Sequence, residues 1–145
     1  TRRHKRGDKS TFVRDVSIPD GTPVLTGQRF VKTWESQNIG NVPWDGRFLQ
    51  CIDEDIVVYQ KSGERLNIAG RLTPQSERVA VPFTAPGAKV QISVEFVAPS
   101  SPGTLVSYWK TVFEDGKECF PNSLGLWVKV NVVSLARAYD VEERK

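Results

Sequence analysis

Apolar and polar residues alternate along much of the chain. From Val90 to Ala98, Val, Ile and Phe side chains alternate with Gln, Ser and Glu, and Leu126 to Val132 repeats this pattern with β-branched residues. A period of two predicts β-strands with one buried face. A third strand is predicted around Phe30 to Trp34, ended by residues 38–41, whose Asn and Gly tolerate left-handed backbone.

Further strands are predicted where aromatic and β-branched residues cluster between turn signals. Residues 104–114 form one such strand, and Asp115-Gly116, a pair favoured in tight hairpin turns, follows it. The return strand is interrupted at Pro121 and Asn122. Weaker strands are predicted at Phe12 to Ser17, Phe48 to Ile52, Ile56 to Tyr59 and Val79 to Phe83.

The number and spacing of these segments predict an all-β fold. Seven or eight short antiparallel strands with frequent turns, and no helical period in the middle, are typical of a β-sandwich. A closed barrel is the competing arrangement. Residues 60–78 are polar and irregular, and we expect a mobile loop there with at most a helical turn.

The length of 145 residues fits one domain. We assign residues 12–134 to the sandwich, residues 1–11 to a basic tail or linker, and residues 135–145 to a charged C-terminal tail. The start at Thr1 and the absence of Met indicate a piece of a larger soluble protein. No apolar run approaches the roughly 20 residues of a membrane-spanning helix, so we expect a cytoplasmic location and no membrane contact.

Positive charge is concentrated at the N-terminus. The net charge is +3, and the first nine residues combine Asp8 with five basic side chains, which leaves the rest of the chain slightly negative. Such a tail can follow a DNA backbone without reading its sequence, but a solvated linker is the preferred interpretation. The basic residues are Arg2, Arg3, Lys5, Arg6 and Lys9.

Few residues are suited to catalysis or metal binding. The single histidine, His4, lies in the tail, where it cannot serve a fixed nucleophile as a base. The acidic run Asp53-Glu54-Asp55 is interpreted as a solvated loop rather than a calcium site. Cys51 and Cys119 allow one disulfide, but a reduced pair is the expectation. We therefore expect no enzyme, no metal and no cofactor.

The four tryptophans are the candidate functional residues. In a sandwich, each ring is more often core than binding surface, and we expect Trp34, Trp44 and Trp109 to be mainly structural. Trp127 differs, because its neighbours Leu126 and Val128 face the core and strand parity turns its ring outward. All four are candidate partner-binding residues, with Trp127 the strongest.

The sequence around these tryptophans resembles a known family. F-V-K-T-W-E-S-Q-N-I-G-N-V-P-W (residues 30–44), A-P-S-S-P-G-T-L-V-S-Y-W-K (residues 98–110) and L-W-V (residues 126–128) are similar to the signatures of the four-tryptophan, or FW, immunoglobulin-like domain of selective autophagy receptors. The resemblance covers roughly residues 12–133. It implies an immunoglobulin-like sandwich that recognises other proteins. Similar bacterial domains follow helix-turn-helix DNA-binding domains, which would suit the basic start of this chain.

We therefore expect a non-catalytic module that binds another protein or peptide. In a bacterial helix-turn-helix protein it would be the C-terminal part, with DNA contacted only by the missing domain or by the basic tail. The alternative is a carbohydrate-binding module, which requires several coplanar, exposed Trp or Tyr rings.

Overall fold

The computed structural model describes residues 7–53 and 70–134, which form nine strands in two packed sheets. The predicted all-β immunoglobulin-like sandwich is confirmed. One sheet has the order β1-β3-β7-β5 and the other β2-β9-β8-β4-β6. The strands are β1 (Ser10–Asp15), β2 (Thr22–Leu25), β3 (Arg29–Asn38), β4 (Arg47–Cys51), β5 (Thr73–Pro74), β6 (Arg78–Val81), β7 (Lys89–Val97), β8 (Gly103–Val112) and β9 (Leu126–Val133).

The longest predicted strands are the central strands of the two sheets. β3 pairs with β7 along nine residue pairs, from Arg29↔Val97 to Gln37↔Lys89, and β8 pairs with β9 in the other sheet. Their inward side chains meet in the core, where Trp109 lies 6.3 Å from Trp34 and 5.8 Å from Phe96, ring centre to ring centre. Burial of such large rings supplies much of the hydrophobic stabilisation of a domain this size.

Two short strands differ from the sequence-based expectations. β5 lies inside residues 60–78, which were predicted to be irregular, and β2 was not predicted. Each contains a proline, Pro74 or Pro23, which hides the strand signal but is tolerated at a sheet edge. β2 also runs parallel to β9, the exception to an antiparallel sandwich among the described strands. The strand predicted at residues 56–59 lies outside the described residues.

The chain before β1 lies against the sandwich. Asp8 and Arg47 are both buried, and the Arg47 guanidinium lies 2.9 Å from the Asp8 carboxylate. The carbonyls of Gly7 and Lys9 accept hydrogen bonds from the backbone after β3. Residues 7–11, which were assigned to the tail, thus contact the folded domain, and β1 begins at Ser10. Residues 1–6 and 135–145 lie outside the described residues.

The Asn-x-Gly sequence after β3 builds a tight corner. The Asn38 side-chain amide donates to the carbonyls of Val42 and Thr84, at 2.9 and 3.1 Å, and its oxygen accepts from the Gly40 N–H. A Cβ at Gly40 would collide with the Gly7 carbonyl oxygen, so only glycine fits. This corner brings Trp44 back to the core, where it packs on Phe120.

Candidate functional site

A groove of about 410 Å³ lies between the edge strand β1 and the segment that leads into β9. Trp34 of β3 reaches it between the two walls, and its indole N–H donates to the Trp127 carbonyl at 2.8 Å. We call this the β1–β9 groove. It is lined by Phe12, Asp15, Asp20, Trp34, Ser123, Leu124, Gly125, Leu126 and Trp127.

The β9 side of the groove depends on a compact turn. After the predicted Asp115-Gly116 turn, which is present with a positive φ at Gly116, the chain forms only an isolated bridge between Glu118 and Val112. It turns again where Ser123 N–H donates to the Phe120 carbonyl. Gly125 follows with φ +82°, and a Cβ there would collide with the Trp109 carbonyl oxygen. A glycine therefore lets this wall pass close to β8.

Both walls expose large apolar side chains. Phe12 on β1 is 49% exposed, and Leu124 on the opposite wall is 82% exposed. Trp127 is partly buried beside them. A groove with such apolar surface on both sides is typical of sites that bind another molecule.

The groove has an acidic end with unequal carboxylates. Asp15 is paired with the fully buried Lys32, whose ammonium lies 2.7 Å from its carboxylate and also donates to the Ile18 carbonyl at 2.8 Å. Asp20 is exposed and accepts a 3.3 Å hydrogen bond from the Trp127 indole N–H. Lys32 neutralises Asp15, and among the described groove residues Asp20 is the carboxylate that lacks such a counter-ion.

The loop that carries Asp20 is held under strain. Ile18 has a φ of +52°, a left-handed conformation that β-branched residues rarely adopt and that costs about 1–3 kcal/mol. The hydrogen bond from Lys32 to its carbonyl stabilises this conformation. Such strain is concentrated at functional sites, and the same loop places Asp20 beside Trp127.

The four tryptophans occupy different positions. Trp127 lies on the opposite face of β9 from the buried Val128 and Val130, as strand parity requires, and lines the groove. Trp34 is almost completely buried and forms the bottom of the groove. Trp44 and Trp109 are buried in the core, so a partner would not contact them directly.

Among the described residues, no Trp or Tyr ring is fully exposed, and the partly exposed rings are Trp127 and Tyr108, which pair across β9 and β8. The structure buries Trp34, Trp44 and Trp109, and leaves only Trp127 of the four tryptophans partly exposed. The carbohydrate alternative depended on several coplanar exposed rings, so the geometry does not favour it.

Sequence reasoning missed most of the groove. Phe12, Asp20 and Leu124 were not candidates, because each is an ordinary edge or turn residue in its local sequence. Only the fold brings residues 12, 20 and 124 to the same place. Leu124 was the one residue that the local sequence could have marked as a candidate. It stands between Ser123 and Gly125, where an exposed turn does not require a large apolar side chain.

Of the remaining chemistry candidates, Asp53 has a structural role. The Asp53 carboxylate accepts hydrogen bonds from Ser107 Oγ and the Tyr108 N–H, both at 2.7 Å, and lies 3.4 Å from Arg71 Nη2. It therefore joins β4 to β8. Within residues 7–53 and 70–134 no three His, Cys, Asp or Glu side chains cluster as metal ligands would. His4, Glu54 and Asp55 lie outside the described residues.

The two cysteines do not form a disulfide. Burial raises the pKa of the Cys51 thiol to about 11 and that of Cys119 to about 12. Because the thiolate is the nucleophile, both side chains are poorly suited to covalent chemistry near neutral pH.

A second, smaller hollow continues the groove along β1. It has a volume of about 60 Å³ and shares Phe12, Ser123, Gly125 and Leu126 with the first. Ser10, at the start of β1, lines its far part together with residues of β3, β8 and the segment after β8. The accessible surface thus follows the strand from Asp15 towards Ser10.

Comparison with known proteins identifies a family and several relatives of this chain. Residues 17–132 match the family model described as "Ig-like domain from next to BRCA1 gene". The chain is 29% identical over 127 residues to Protein JOKA2 of Solanum tuberosum and 28% identical over 123 residues to the NBR1 homolog of Arabidopsis thaliana. It is 33% identical over 96 residues to human Next to BRCA1 gene 1 protein.

These alignments cover most of this chain but little of each relative. They include 87%, 85% and 66% of the chain, respectively, and only 13%, 16% and 9% of the potato, Arabidopsis and human proteins.

Within the part of the chain that the structure describes, no helix is long and apolar enough to cross a bilayer.

Proposed function

The chain belongs to the family of Ig-like domains from next to BRCA1 gene, and from this premise we propose that it binds a segment of a partner protein in the β1–β9 groove. It would act as a non-catalytic module of a larger protein, since it corresponds to less than a fifth of each relative's length.

The observation that carries this proposal is the exposed apolar surface on both walls of the groove. Phe12 and Leu124 are exposed to solvent, whereas the side chains of the hydrophobic core are buried. A volume of about 410 Å³ lies at the small end of the range for binding pockets. It suits one or two apolar side chains of a polypeptide, which would cover Phe12, Leu124 and the edge of Trp127.

Charge favours a basic residue in the partner segment. Asp20 lies at one end of the groove, and the described part of the chain places no buried cation beside it comparable with Lys32 beside Asp15. A Lys or Arg next to the bound apolar side chain would meet this carboxylate. The proposed ligand is therefore a peptide segment with an apolar residue close to a basic one.

Selection from a random dodecapeptide display library tests this function directly. Enriched peptides, synthesised and titrated calorimetrically, should bind the wild-type chain and lose at least tenfold in affinity with Phe12→Ser or Leu124→Ser. Phe83→Ser and Leu25→Ser are matched controls, because Phe83 is 65% exposed and Leu25 38% exposed but neither lines the groove. Both controls should bind within twofold of wild type.

Two outcomes would contradict the proposal. One is the absence of any enriched peptide, and the other is equal weakening by the groove and control substitutions. Asp20→Asn should weaken binding severalfold and reduce its salt dependence, whereas Asp45→Asn, an exposed carboxylate outside the groove, should not. A glycan array with hits that Trp127→Ala removes would instead favour the carbohydrate alternative.

The narrower expectations from the sequence stay predictions. A cytoplasmic location is supported by two cysteines that do not form a disulfide. A helix-turn-helix neighbour and DNA contacts by Arg2, Arg3, Lys5 and Arg6 concern residues outside the described part of the chain. The sequence of the full-length gene product and a gel-shift titration at increasing salt would test them.

A further inference from the structure

β1 differs from the other edge strands in its length and composition. Among the described strands, β2 has four residues and contains Pro23, β5 has two and contains Pro74, and β6 has four. β1 has six residues without proline and, within residues 7–53 and 70–134, pairs only with β3. Short strands, prolines and bulges protect sheet edges from additional strands, and β1 has no proline and is regular over residues 10–12, before its bulge.

The backbone of β1 presents hydrogen-bonding groups on the side away from β3. The carbonyls of Gly7 and Lys9 accept hydrogen bonds from the N–H groups of Asn41 and Ile39, at 2.9 and 3.2 Å. Hydrogen-bonding direction alternates along an antiparallel strand. Lys9 and Thr11 therefore direct their backbone groups towards β3, whereas Ser10 and Phe12 direct theirs towards the free edge.

This free edge coincides with the groove. Phe12 lines both hollows and Ser10 lines the smaller one. A shift in register between Phe12 and Arg14 marks a β-bulge, which ends regular pairing and increases local twist. The regular part of the edge is thus residues 10–12, directly beside the apolar walls.

We propose that the partner segment binds as an added β-strand on the free edge of β1, hydrogen-bonded to the backbone of Ser10 and Phe12. This inference rests on the proposed function and specifies how the groove holds its ligand. A strand added to a sheet lies about 4.8 Å from its neighbour, and its side chains alternate between faces. Alternate side chains of the ligand would then enter the groove, and a basic residue would reach Asp20.

The occupant is a segment of another protein rather than a second copy of the chain. The exposed Asp20 lies at one end of the groove, and a segment that contains Lys or Arg complements its charge. The bulge at residues 12–14 also leaves only a short regular edge, which suits a short peptide better than two β1 strands paired along their length.

N-methylation of the ligand tests this binding mode on the unaltered protein. The probe is a peptide enriched in the selection described above, resynthesised with one backbone N-methyl group at each position in turn. Methylation at alternate positions over a stretch of three or more residues should reduce affinity at least tenfold, because it removes the N–H groups that pair with β1. Methylation of the intervening positions should have less than a threefold effect.

A substitution in the protein provides a second measurement. Ser10→Pro removes the outward N–H of Ser10 without removing a hydrogen bond to β3, and should weaken binding at least tenfold. Ser10→Ala keeps this N–H and should weaken binding much less than Ser10→Pro. A thermal melt within a few degrees of wild type would show that Ser10→Pro remains folded. If it does not, the N-methyl series decides.

Several results would overturn the strand-addition inference. If Phe12→Ser and Leu124→Ser weaken binding but no N-methyl position does, the groove is the site and strand addition is wrong. A dimer of the free chain that Ser10→Pro dissociates, with no N-methyl effect, would assign the edge to a second copy. Failure of the selection to enrich any groove-dependent peptide would contradict the proposed function as well.

Discussion

The burial of individual tryptophans determines how much each contributes to stability. Trp109 is fully buried and its indole N–H donates to Ser107 Oγ at 2.9 Å. Trp127 is only partly buried, and its indole bonds to an exposed carboxylate. One ring is therefore essential to the packing of the core, and the other forms part of an open surface.

Alanine at these two positions should give different losses of stability. Trp109→Ala should lower the free energy of unfolding by about 3–5 kcal/mol, because it leaves a large cavity, and Trp127→Ala by about 1–2 kcal/mol, because less apolar area is removed. Urea denaturation of both variants measures this directly. Equal losses would contradict the assignment of Trp127 to the groove surface.

The raised thiol pKa values of the partly buried Cys51 and the buried Cys119 predict a loss of stability at alkaline pH. Burial raises the pKa of Cys51 to about 11 and of Cys119 to about 12, so the folded state retains protons that the unfolded state, with a thiol pKa of about 8.5, releases. This contribution is complete below about pH 8.5 and is lost as the pH rises towards the folded-state values. Cys119→Ala should show a shallower decline above about pH 9 in urea unfolding, and parallel curves would argue against this effect.

Among the elements, the segment before β1 depends on one buried ion pair. Arg47 is held between the Asp8 carboxylate and the rings of Phe113 and Phe120, 5.0 and 5.8 Å from its guanidinium. Pairing and ring contacts offset the cost of burying this charge. Asp8 thereby fixes the point from which β1 begins.

Replacing Asp8 alone should destabilise the fold much more than replacing both Asp8 and Arg47. Asp8→Ala leaves the Arg47 charge buried without its partner and should reduce the free energy of unfolding by about 3–5 kcal/mol, whereas Asp8→Ala combined with Arg47→Met should recover most of this loss. Urea unfolding of the two variants gives the comparison. Wild-type stability of Asp8→Ala would show that the pair does not anchor this segment.

The sequence predicts a strand best where one face of the strand is buried along its whole length. β3, β7 and β9 are long enough for their alternation to be unmistakable, whereas β2 and β5 are short proline-containing edges whose pairing depends on the rest of the sheet. Lys32 illustrates the same limit within a strand. Its parity with Phe30 and Trp34 points it inward, but the partner that makes this burial tolerable, Asp15, is supplied by a different strand.

At the scale of the whole molecule, the groove is a product of topology. β1 belongs to one sheet and β9 to the other, so the opening between them is formed by residues more than 100 positions apart in sequence, such as Phe12 and Leu124. Sequence patterns identified the sandwich and the outward direction of Trp127. They could not reveal which loops would meet beside it, because no local pattern encodes that proximity.

The family membership and the geometry together favour recognition over catalysis. The matched relatives are several times longer than this chain, and the groove combines apolar walls with the exposed carboxylate of Asp20. Such a site can bind and orient a polypeptide, and in our proposal it does so with an exposed strand edge beside it.

Amide chemical-shift mapping tests the central claim most directly. Titrating a selected peptide into the ¹⁵N-labelled chain should shift the backbone signals of Ser10, Phe12, Asp20 and Leu124 and the indole signal of Trp127, while the signal of Val31, on the exposed face of β3, stays unchanged. Shifts confined to Val31 and its neighbours, with the groove signals unaffected, would show that the partner binds elsewhere on the sandwich.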